Sequence, residues 1–140
     1  MGYPSHEAAV QILKGQEFTP INTVRMMVTS DELVELQARA QCLKVHDSIF
    51  DYIVTLIEKT RESEYFSMGA SPRGANALLR MSRAMALLSG REYVVPEDIA
   101  SVFAAVLGHR IKLSSRARAN GFTVDTALEE VRKSVKLPRT

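Results

Sequence analysis

The sequence predicts an all-α protein, a bundle of about five to six helices with no substantial sheet. Apolar residues recur at helical spacing in successive segments, whereas no alternation of polar and apolar residues lasts long enough to indicate a strand. Ser, Thr, Asp and Pro precede or open these segments, and Gly follows one of them, as is usual at helix ends. The 140 residues are 46% hydrophobic and 24% charged, which is typical of one globular domain with a core. We therefore expect residues 1–140 to form a single helical domain.

Residues 1–29 are predicted to contain a first helix and an irregular connection. Ser5 is a suitable N-cap for the helix "HEAAVQIL". Gly15 and Pro20 interrupt the following segment, "KGQEFTPINTVRMMVTS". Because a segment of this length is seldom left without packing, its apolar residues are expected to pack on the bundle. The residues concerned are Phe18, Ile21, Val24 and Met27. In the helix itself, Ala8, Ala9, Ile12 and Leu13 share one face.

Residues 30–140 are predicted to form the bundle itself. Its first helix is expected to begin after Ser30 as N-cap, and its second to open at Asp47. The second helix carries apolar residues around more than half of its circumference, so it is expected to be central. The inward residues are predicted to be Leu33, Leu36, Ala40 and Leu43 in the first helix, and Ile49, Ile53, Leu56 and Thr60, flanked by Phe50, Val54 and Ile57, in the second.

Three further helices complete the predicted bundle. One begins after Ser71 and ends at Gly90 as a left-handed C′ residue. The short extended link "REYVV" follows, and Pro96 opens the next helix after Val95, which is a poor N-cap. Thr123 caps the last helix. The inward residues are expected to be Ala75, Leu78, Leu79, Met85 and Ala86 in the first of the three, and Val124, Leu128, Val131 and Val135 in the last.

Charge and cysteine content argue against several classes of protein. The net charge of +2 creates no global field that would steer the protein to nucleic acid. No apolar run approaches the ~18 residues that a membrane span needs, so no membrane association is predicted. The single cysteine, Cys42, excludes an internal disulfide and fits a reducing, cytoplasmic setting.

The chemically reactive side chains do not predict a complete catalytic or metal site. Gly69 and Gly74 have the spacing of a P-loop, but Ala75 and Asn76 stand where Lys and Ser or Thr would be needed. Cys42 is interpreted as a core residue rather than a nucleophile. The three histidines are scattered and predict no metal site. Met26, Met27, Met81 and Met85 are interpreted as packing residues.

The C-terminal segment, residues 108–140, is basic, with eight Lys and Arg against three acids. We interpret it as a solvated face. An alternative reading is a helical module that binds a protein or a nucleic acid through this segment. Nucleic acid is the less favoured partner, because these charges are not interleaved with the several aromatic residues that single-strand binding would use, and Phe122 is the one aromatic residue of the segment.

One residue, Arg73, breaks a local rule. Ser71 and Pro72 suit the start of a helix, but a cation at the second helical position opposes the helix dipole by roughly 0.3–1 kcal/mol. A solvated surface arginine in a purely structural bundle can tolerate that penalty, and this reading remains open. Its neighbours suggest a second reading, because Gly69, Ala70 and Gly74 are small enough to allow another surface or a ligand to approach.

The second reading is a phosphate sensor. Free N–H groups at a helix N-terminus bind anions, and a guanidinium beside them adds a bidentate donor that suits phosphate. The remainder of such a nucleotide site would have to lie elsewhere.

Three segments carry a family resemblance. They are "GYPS", "DYIVTLIEKTRES" and "GASPRGANALLRMSRAMALLSGREYVVPEDIASVFAAVLGHRIKLS". Together they resemble the C-terminal lid domain of MoxR-type AAA+ ATPases, from Gly2 to about Ser114 and more weakly through the last helix.

The resemblance implies a helical lid cut from a longer chain, whose α/β domain would hold ATP and Mg²⁺. Arg73 matches the sensor-2 arginine of "GASPR", and Ser71, Pro72 and Gly74 are its companions in the cofactor-binding motif. Gly74 stands where the family usually has Ala. The chain alone lacks the Walker A and Walker B residues, so it is expected to bind no cofactor and to hydrolyse no ATP. The parent is expected to be an ATP hydrolase that forms a ring, a hexamer. It is expected to couple nucleotide state to lid movement. Its partners are expected to be proteins that it remodels or matures, including proteins with a von Willebrand factor A domain.

Overall fold

The computed structural model describes residues 2–15 and 24–138, and these residues are mainly helical. The all-α prediction is therefore confirmed. The elements in chain order are α1 (His6–Leu13), α2 (Ser30–Cys42), α3 (Asp47–Glu62), β1 (Phe66–Met68), α4 (Pro72–Leu88), α5 (Pro96–Leu107), a 3₁₀ turn (Gly108–Arg110), β2 (Lys112–Leu113), α6 (Ser115–Ala119) and α7 (Val124–Ser134).

The chain divides into two compact units, Met1–Leu33 and Val34–Thr140. In the first, the Ser5 hydroxyl accepts a hydrogen bond from the Ala8 N–H at 3.2 Å, so the predicted cap of α1 is confirmed. No residue of α1 is buried. Val24 and Met27 are also exposed, and the prediction that they are packed is wrong, because so short a unit cannot cover its own apolar side chains. The predictions for Phe18 and Ile21 lie outside the described residues.

Helix α2 is capped by Thr29 and not, as predicted, by Ser30. The Thr29 hydroxyl accepts from the Glu32 N–H at 3.2 Å, and the Glu32 carboxylate accepts from the Thr29 N–H at 2.7 Å. This capping box lowers the pKa of Glu32, chiefly through the bond from the Thr29 N–H. The prediction of an inward face on α2 is also wrong, since the helix has no buried residue. Of the four residues predicted to face inward, only Leu43 is buried, and it lies just beyond the end of the helix.

The hydrophobic core is a single cluster that extends from Leu43 to Val131. Its most buried helix is α5, in which seven of 12 residues are buried, compared with six of 16 in α3. Helix α5 packs on both α4 and α7. The prediction that α3 is central is therefore wrong, because α3 buries one face and leaves Phe50 and Val54 exposed while Tyr52 is buried.

The sulfur-containing side chains also depart from prediction. Met85 is partly buried against the core, as expected for a packing residue. Met26, Met27 and Met81 are exposed, so the packing prediction is wrong for these three. Cys42 is exposed as well, and its assignment to the core is wrong, because the face of α2 that carries it is not covered within the described chain.

Two short strands were not predicted. Strands β1 and β2 pair antiparallel, with Phe66 opposite Leu113 and Met68 opposite Lys112. Strands of three and two residues are too short to show an alternating pattern. The pairing places the chain that follows the 3₁₀ turn beside the segment that leads into α4.

The helix ends that follow local rules are confirmed. Gly90 has a φ of 71°, and the Arg91 N–H donates to the Ala86 carbonyl at 2.9 Å, which closes α4 with a Schellman motif. The link after it is extended and bonds to Lys44. Thr123 caps α7 through the Thr126 N–H. Within residues 2–15 and 24–138, no helix is long and apolar enough to cross a membrane.

Candidate functional site at the start of helix α4

Arg73 is the second residue of α4, and its side chain is exposed. It forms no ion pair with any other described residue. The predicted start of the helix is confirmed, with Ser71 as N-cap in an extended conformation and Pro72 at the first helical position. The Ser71 hydroxyl makes no capping bond. The three exposed residues Ser71, Pro72 and Arg73 thus form the surface of the first turn, whereas Gly74 is buried.

The backbone at this helix start offers fewer free donors than the sequence suggested. Pro72 has no N–H group. The N–H groups of Gly74 and Ala75 both donate to the Ser71 carbonyl, at 2.8 and 3.4 Å. Among residues 72–75 of the described chain, this leaves the Arg73 N–H as the donor without a carbonyl partner. Any anion at this point would therefore be held mainly by Arg73, through its guanidinium and its own N–H.

The residues near Arg73 are small because other segments of the chain pack closely against them. A Cβ atom on Gly69 would lie 2.7 Å from backbone atoms of Thr60 and Arg61. A Cβ atom on Gly74 would lie 3.1 Å from a methyl carbon of Leu107. Ala70 is only 1% exposed. The close approach expected at these positions is thus made by the ends of α3 and α5.

Hydrogen bonds hold the segment that precedes α4. The Ala70 N–H donates to the Thr60 hydroxyl at 2.9 Å. The Arg61 Nε–H donates to the Ala70 carbonyl at 2.8 Å. The Thr60 hydroxyl in turn donates to the Ile57 carbonyl at 2.6 Å. Because Thr60 is fully buried, its two bonds lie inside the protein, whereas the bond from Arg61 is partly buried. Together the bonds connect the end of α3 to the start of α4.

A second arginine, Arg110, lies beside the same helix start. Its Cδ atom is 4.0 Å from the place where a Cβ of Gly74 would be, and its Nε–H donates to the Val106 carbonyl at 3.2 Å. It is exposed and, like Arg73, makes no ion pair within the described chain. In the sequence, Arg110 is recognisable only as part of the basic segment, because nothing local indicates that the end of α5 meets the start of α4. The first turn of α4 therefore contains one arginine and lies beside another, and neither has a carboxylate partner within the described part of the chain.

The basic C-terminal segment is partly neutralised. Three of its cations form ion pairs with glutamates, two of them within α7. The bond from Arg132 lowers the pKa of Glu129. The prediction for Arg139 lies outside the described residues. The ion pairs are Arg116 with Glu64, Arg132 with Glu129, and Lys133 with Glu130.

The described residues contain no cluster of three or more His, Cys, Asp or Glu side chains that could hold a metal ion. Mg²⁺ ligands are mainly carboxylates and phosphate oxygens. The donor set near Arg73 is cationic, so it fits a phosphate group and not the magnesium ion.

Comparisons with known proteins identify the family to which this fold belongs. The AAA lid domain family matches residues 58–131, which include the end of α3 and all of α4 and α5. The chain is 36% identical over 139 residues to the uncharacterized protein YeaC of Bacillus subtilis, with 99% of this chain and 43% of that protein covered. It is 33% identical over 148 residues to the chaperone MoxR1 of Mycobacterium tuberculosis, with 99% and 39% covered.

A solved structure has a similar fold. The crystal structure of a candidate ATPase from Cytophaga hutchinsonii superposes with a TM-score of 0.80 at 27% identity. The similarity covers 99% of this chain and 45% of that one. The chain thus spans about two fifths of the length of the curated relatives named above.

Proposed function

The chain belongs to the AAA lid domain family, and we propose that within a MoxR-type AAA+ ATPase its Arg73 acts as the sensor-2 arginine. In this role the guanidinium contacts the γ-phosphate of an ATP molecule that another domain of the same parent chain binds. The observation that carries the proposal is an exposed arginine at the N-terminus of α4, which forms no ion pair with any described residue and lies near a second such arginine, Arg110.

The chemistry of the contact follows from the side chain. A guanidinium presents two parallel N–H donors to phosphate oxygens, and such charge-assisted bonds contribute about 1.5–3 kcal/mol. The contact would offset the penalty of roughly 0.3–1 kcal/mol for a cation at a helix N-terminus. The exposed Ser71 hydroxyl, which makes no capping bond, is available on the same turn.

Coupling of nucleotide state to lid movement is the second part of the proposal. Helix α4 has 17 residues and packs along α5, the most buried helix of the core. A displacement of the first turn of α4 by a bound phosphate would therefore be transmitted through α5 to the whole core. Loss of the γ-phosphate would release that connection and allow the lid to change its angle.

The remaining functions belong to the parent protein. ATP and Mg²⁺ would be held mainly by the α/β domain, and the ring, the remodelling of partner proteins and partners with a von Willebrand factor A domain would be properties of the whole assembly. MoxR1, a relative over 99% of this chain, is named a chaperone. We propose a cytoplasmic setting, which is consistent with a single cysteine. The chain alone is expected to turn over no ATP, because it lacks the Walker lysine and the magnesium-binding acids.

Substitution of Arg73 in the full-length protein tests the proposal. Arg73→Ala should slow ATP turnover by about tenfold or more, since each 1.4 kcal/mol of transition-state stabilisation is one decade. Arg73→Lys should restore only part of the rate, because a point charge cannot replace the bidentate donor. The matched control is Arg80→Ala, an exposed arginine two turns along the same helix. Unchanged turnover in Arg73→Ala, or an equal loss in Arg80→Ala, would show that Arg73 is a solvated surface residue.

A further inference from the structure

Both backbone polar groups of Ala70 are held by two consecutive residues at the end of α3. The N–H group donates to Thr60 and the carbonyl accepts from Arg61, at 2.9 and 2.8 Å. Ala70 lies two residues before α4 and three before Arg73. The backbone of this segment therefore cannot move relative to α3 unless both bonds break.

Burial makes the Thr60 bond the stronger constraint. Thr60 is 0% exposed and Ala70 is 1% exposed, so water cannot replace the bond when it breaks. A buried N–H group left without a partner destabilises the folded state. The Thr60 hydroxyl is also oriented, because its hydrogen is directed to the Ile57 carbonyl and its lone pairs are left to accept from Ala70. Arg61 is exposed, and its bond can be exchanged for water more easily.

Little freedom remains between Ala70 and Arg73. On the N-terminal side, Gly69 lies so close to α3 that a Cβ atom would not fit. On the C-terminal side, Pro72 fixes its own φ, and the Ser71 carbonyl is bonded to the Gly74 N–H at 2.8 Å. The location of Arg73 relative to the core thus follows from the location of Ala70.

We propose that Thr60 is a positioning residue, whose buried hydroxyl holds Ala70 so that Arg73 is presented in one place to the phosphate. The inference rests on the proposed function of Arg73 and extends it to a residue that contacts no nucleotide. A flexible start of α4 would spread the guanidinium over many positions, and ordering it upon each binding event would weaken the contact.

The test uses Thr60→Val, which keeps the shape of the side chain and removes the hydroxyl. In the full-length protein, ATP turnover should fall at least fivefold, and Thr60→Ser should restore it to within twofold of wild type. The double variant Thr60→Val/Arg73→Ala should be no slower than Arg73→Ala alone, because Thr60 acts through Arg73. A Thr60→Val rate equal to wild type, or a further fivefold loss in the double variant, would overturn the proposal.

The matched control is Ser82→Ala. Ser82 is also fully buried, but its hydroxyl donates only to the Leu78 carbonyl of its own helix, at 2.9 Å. The variant loses a buried hydroxyl without releasing the start of α4, so turnover should stay within twofold of wild type. An equal loss of turnover in Ser82→Ala would mean that reduced stability, and not positioning, explains the Thr60 result.

A second readout does not depend on ATP. In the 140-residue chain, Thr60→Val should speed hydrogen exchange of the Ala70 amide at least tenfold and lower the NMR order parameter of the Arg73 amide, whereas Ser82→Ala should change neither. If both quantities are unchanged in Thr60→Val, the positioning role is refuted. If instead Arg73→Ala leaves turnover unchanged, the proposed function is refuted, so the two failures are distinguishable.

Discussion

Removal of Arg91 is expected to destabilise the protein more than removal of its partner, Asp98. The Arg91 guanidinium bonds to both carboxylate oxygens of Asp98, one of them at 2.8 Å, and also to the Tyr93 carbonyl at 3.1 Å. The carboxylate of Asp98, at the third position of α5, additionally accepts from the Val95 N–H at 2.9 Å. This is one half of a capping box, and the Val95 side chain has no acceptor atom for the other half. The pair joins the end of α4 to the start of α5.

The two residues differ in burial, and this difference sets the magnitudes. The Asp98 side chain is 5% exposed and that of Arg91 is 26% exposed. Arg91→Ala leaves a buried carboxylate without its cation, which costs about 3–5 kcal/mol. Asp98→Ala leaves a guanidinium that water can reach, so the loss is about 1 kcal/mol for the cap and about 1.5 kcal/mol for the charge-assisted bonds. The double variant leaves no unpaired charge and should be less destabilised than the sum of the single variants by about 2 kcal/mol.

Urea unfolding of the wild type, the two single variants and the double variant, followed by circular dichroism, measures the cycle. The expected order of free energies of unfolding is wild type, then Asp98→Ala, then Arg91→Ala. The reasoning is refuted if Asp98→Ala is the less stable of the single variants, or if the two effects add to within about 0.5 kcal/mol.

Two further predictions concern α3. Ile53→Ala should lower the free energy of unfolding in urea by about 2–5 kcal/mol, because Ile53 is buried. Val54→Ala, one position along on the exposed face, should lower it by less than about 0.5 kcal/mol. Similar losses in the two variants would contradict the assignment of the buried face. Tyr52→Phe should raise the free energy of unfolding by about 1 kcal/mol, because the Tyr52 hydroxyl is buried without a hydrogen-bond partner among the described residues. Burial also raises the pKa of Tyr52, so the wild type should lose stability as the pH rises from about 10, where an unfolded tyrosine ionises, through the folded-state pKa. Tyr52→Phe should therefore flatten the alkaline end of the stability profile, and a steeper profile or a less stable variant would contradict this account.

The helix ends could be predicted where a local motif decides them. Pro72, Gly90 and Thr123 act through their own backbone or side chain within a few residues, and the structure places each as expected. Thr29 and Ser30 are both suitable caps, and the choice depends on which of them lies three residues before Glu32. That signal, Thr-x-x-Glu, was present in the sequence and was missed.

The buried faces were less predictable because periodicity identifies an apolar face without identifying what covers it. Leu33 and Leu36 on α2, and Phe50 and Val54 on α3, have helical spacing but are exposed. Tyr52 was not among the residues predicted to be buried, yet it is only 4% exposed.

The candidate site could be located but not assembled from the sequence. Arg73 stood out because it opposes the helix dipole, a conflict that involves adjacent residues only. Thr60 and Arg110 reach the same place through contacts across ten and more residues of chain, and no local pattern reports such contacts. The sequence likewise could not show that Gly69 and Gly74 are small because α3 and α5 approach them.

The assembled geometry changes the balance between the two readings of Arg73. A solvated arginine needs no particular location, and a loosely held helix start would accommodate it equally well. Instead, the segment before Arg73 is fixed by two hydrogen bonds from α3, by a glycine that admits no Cβ and by a proline at the first helical position. Arg110 lies beside the same turn, and neither arginine forms an ion pair within residues 2–15 and 24–138. A fixed position and an uncompensated charge are together unfavourable for a structural role and favourable for binding an anion, which is why the phosphate contact is the reading that we test.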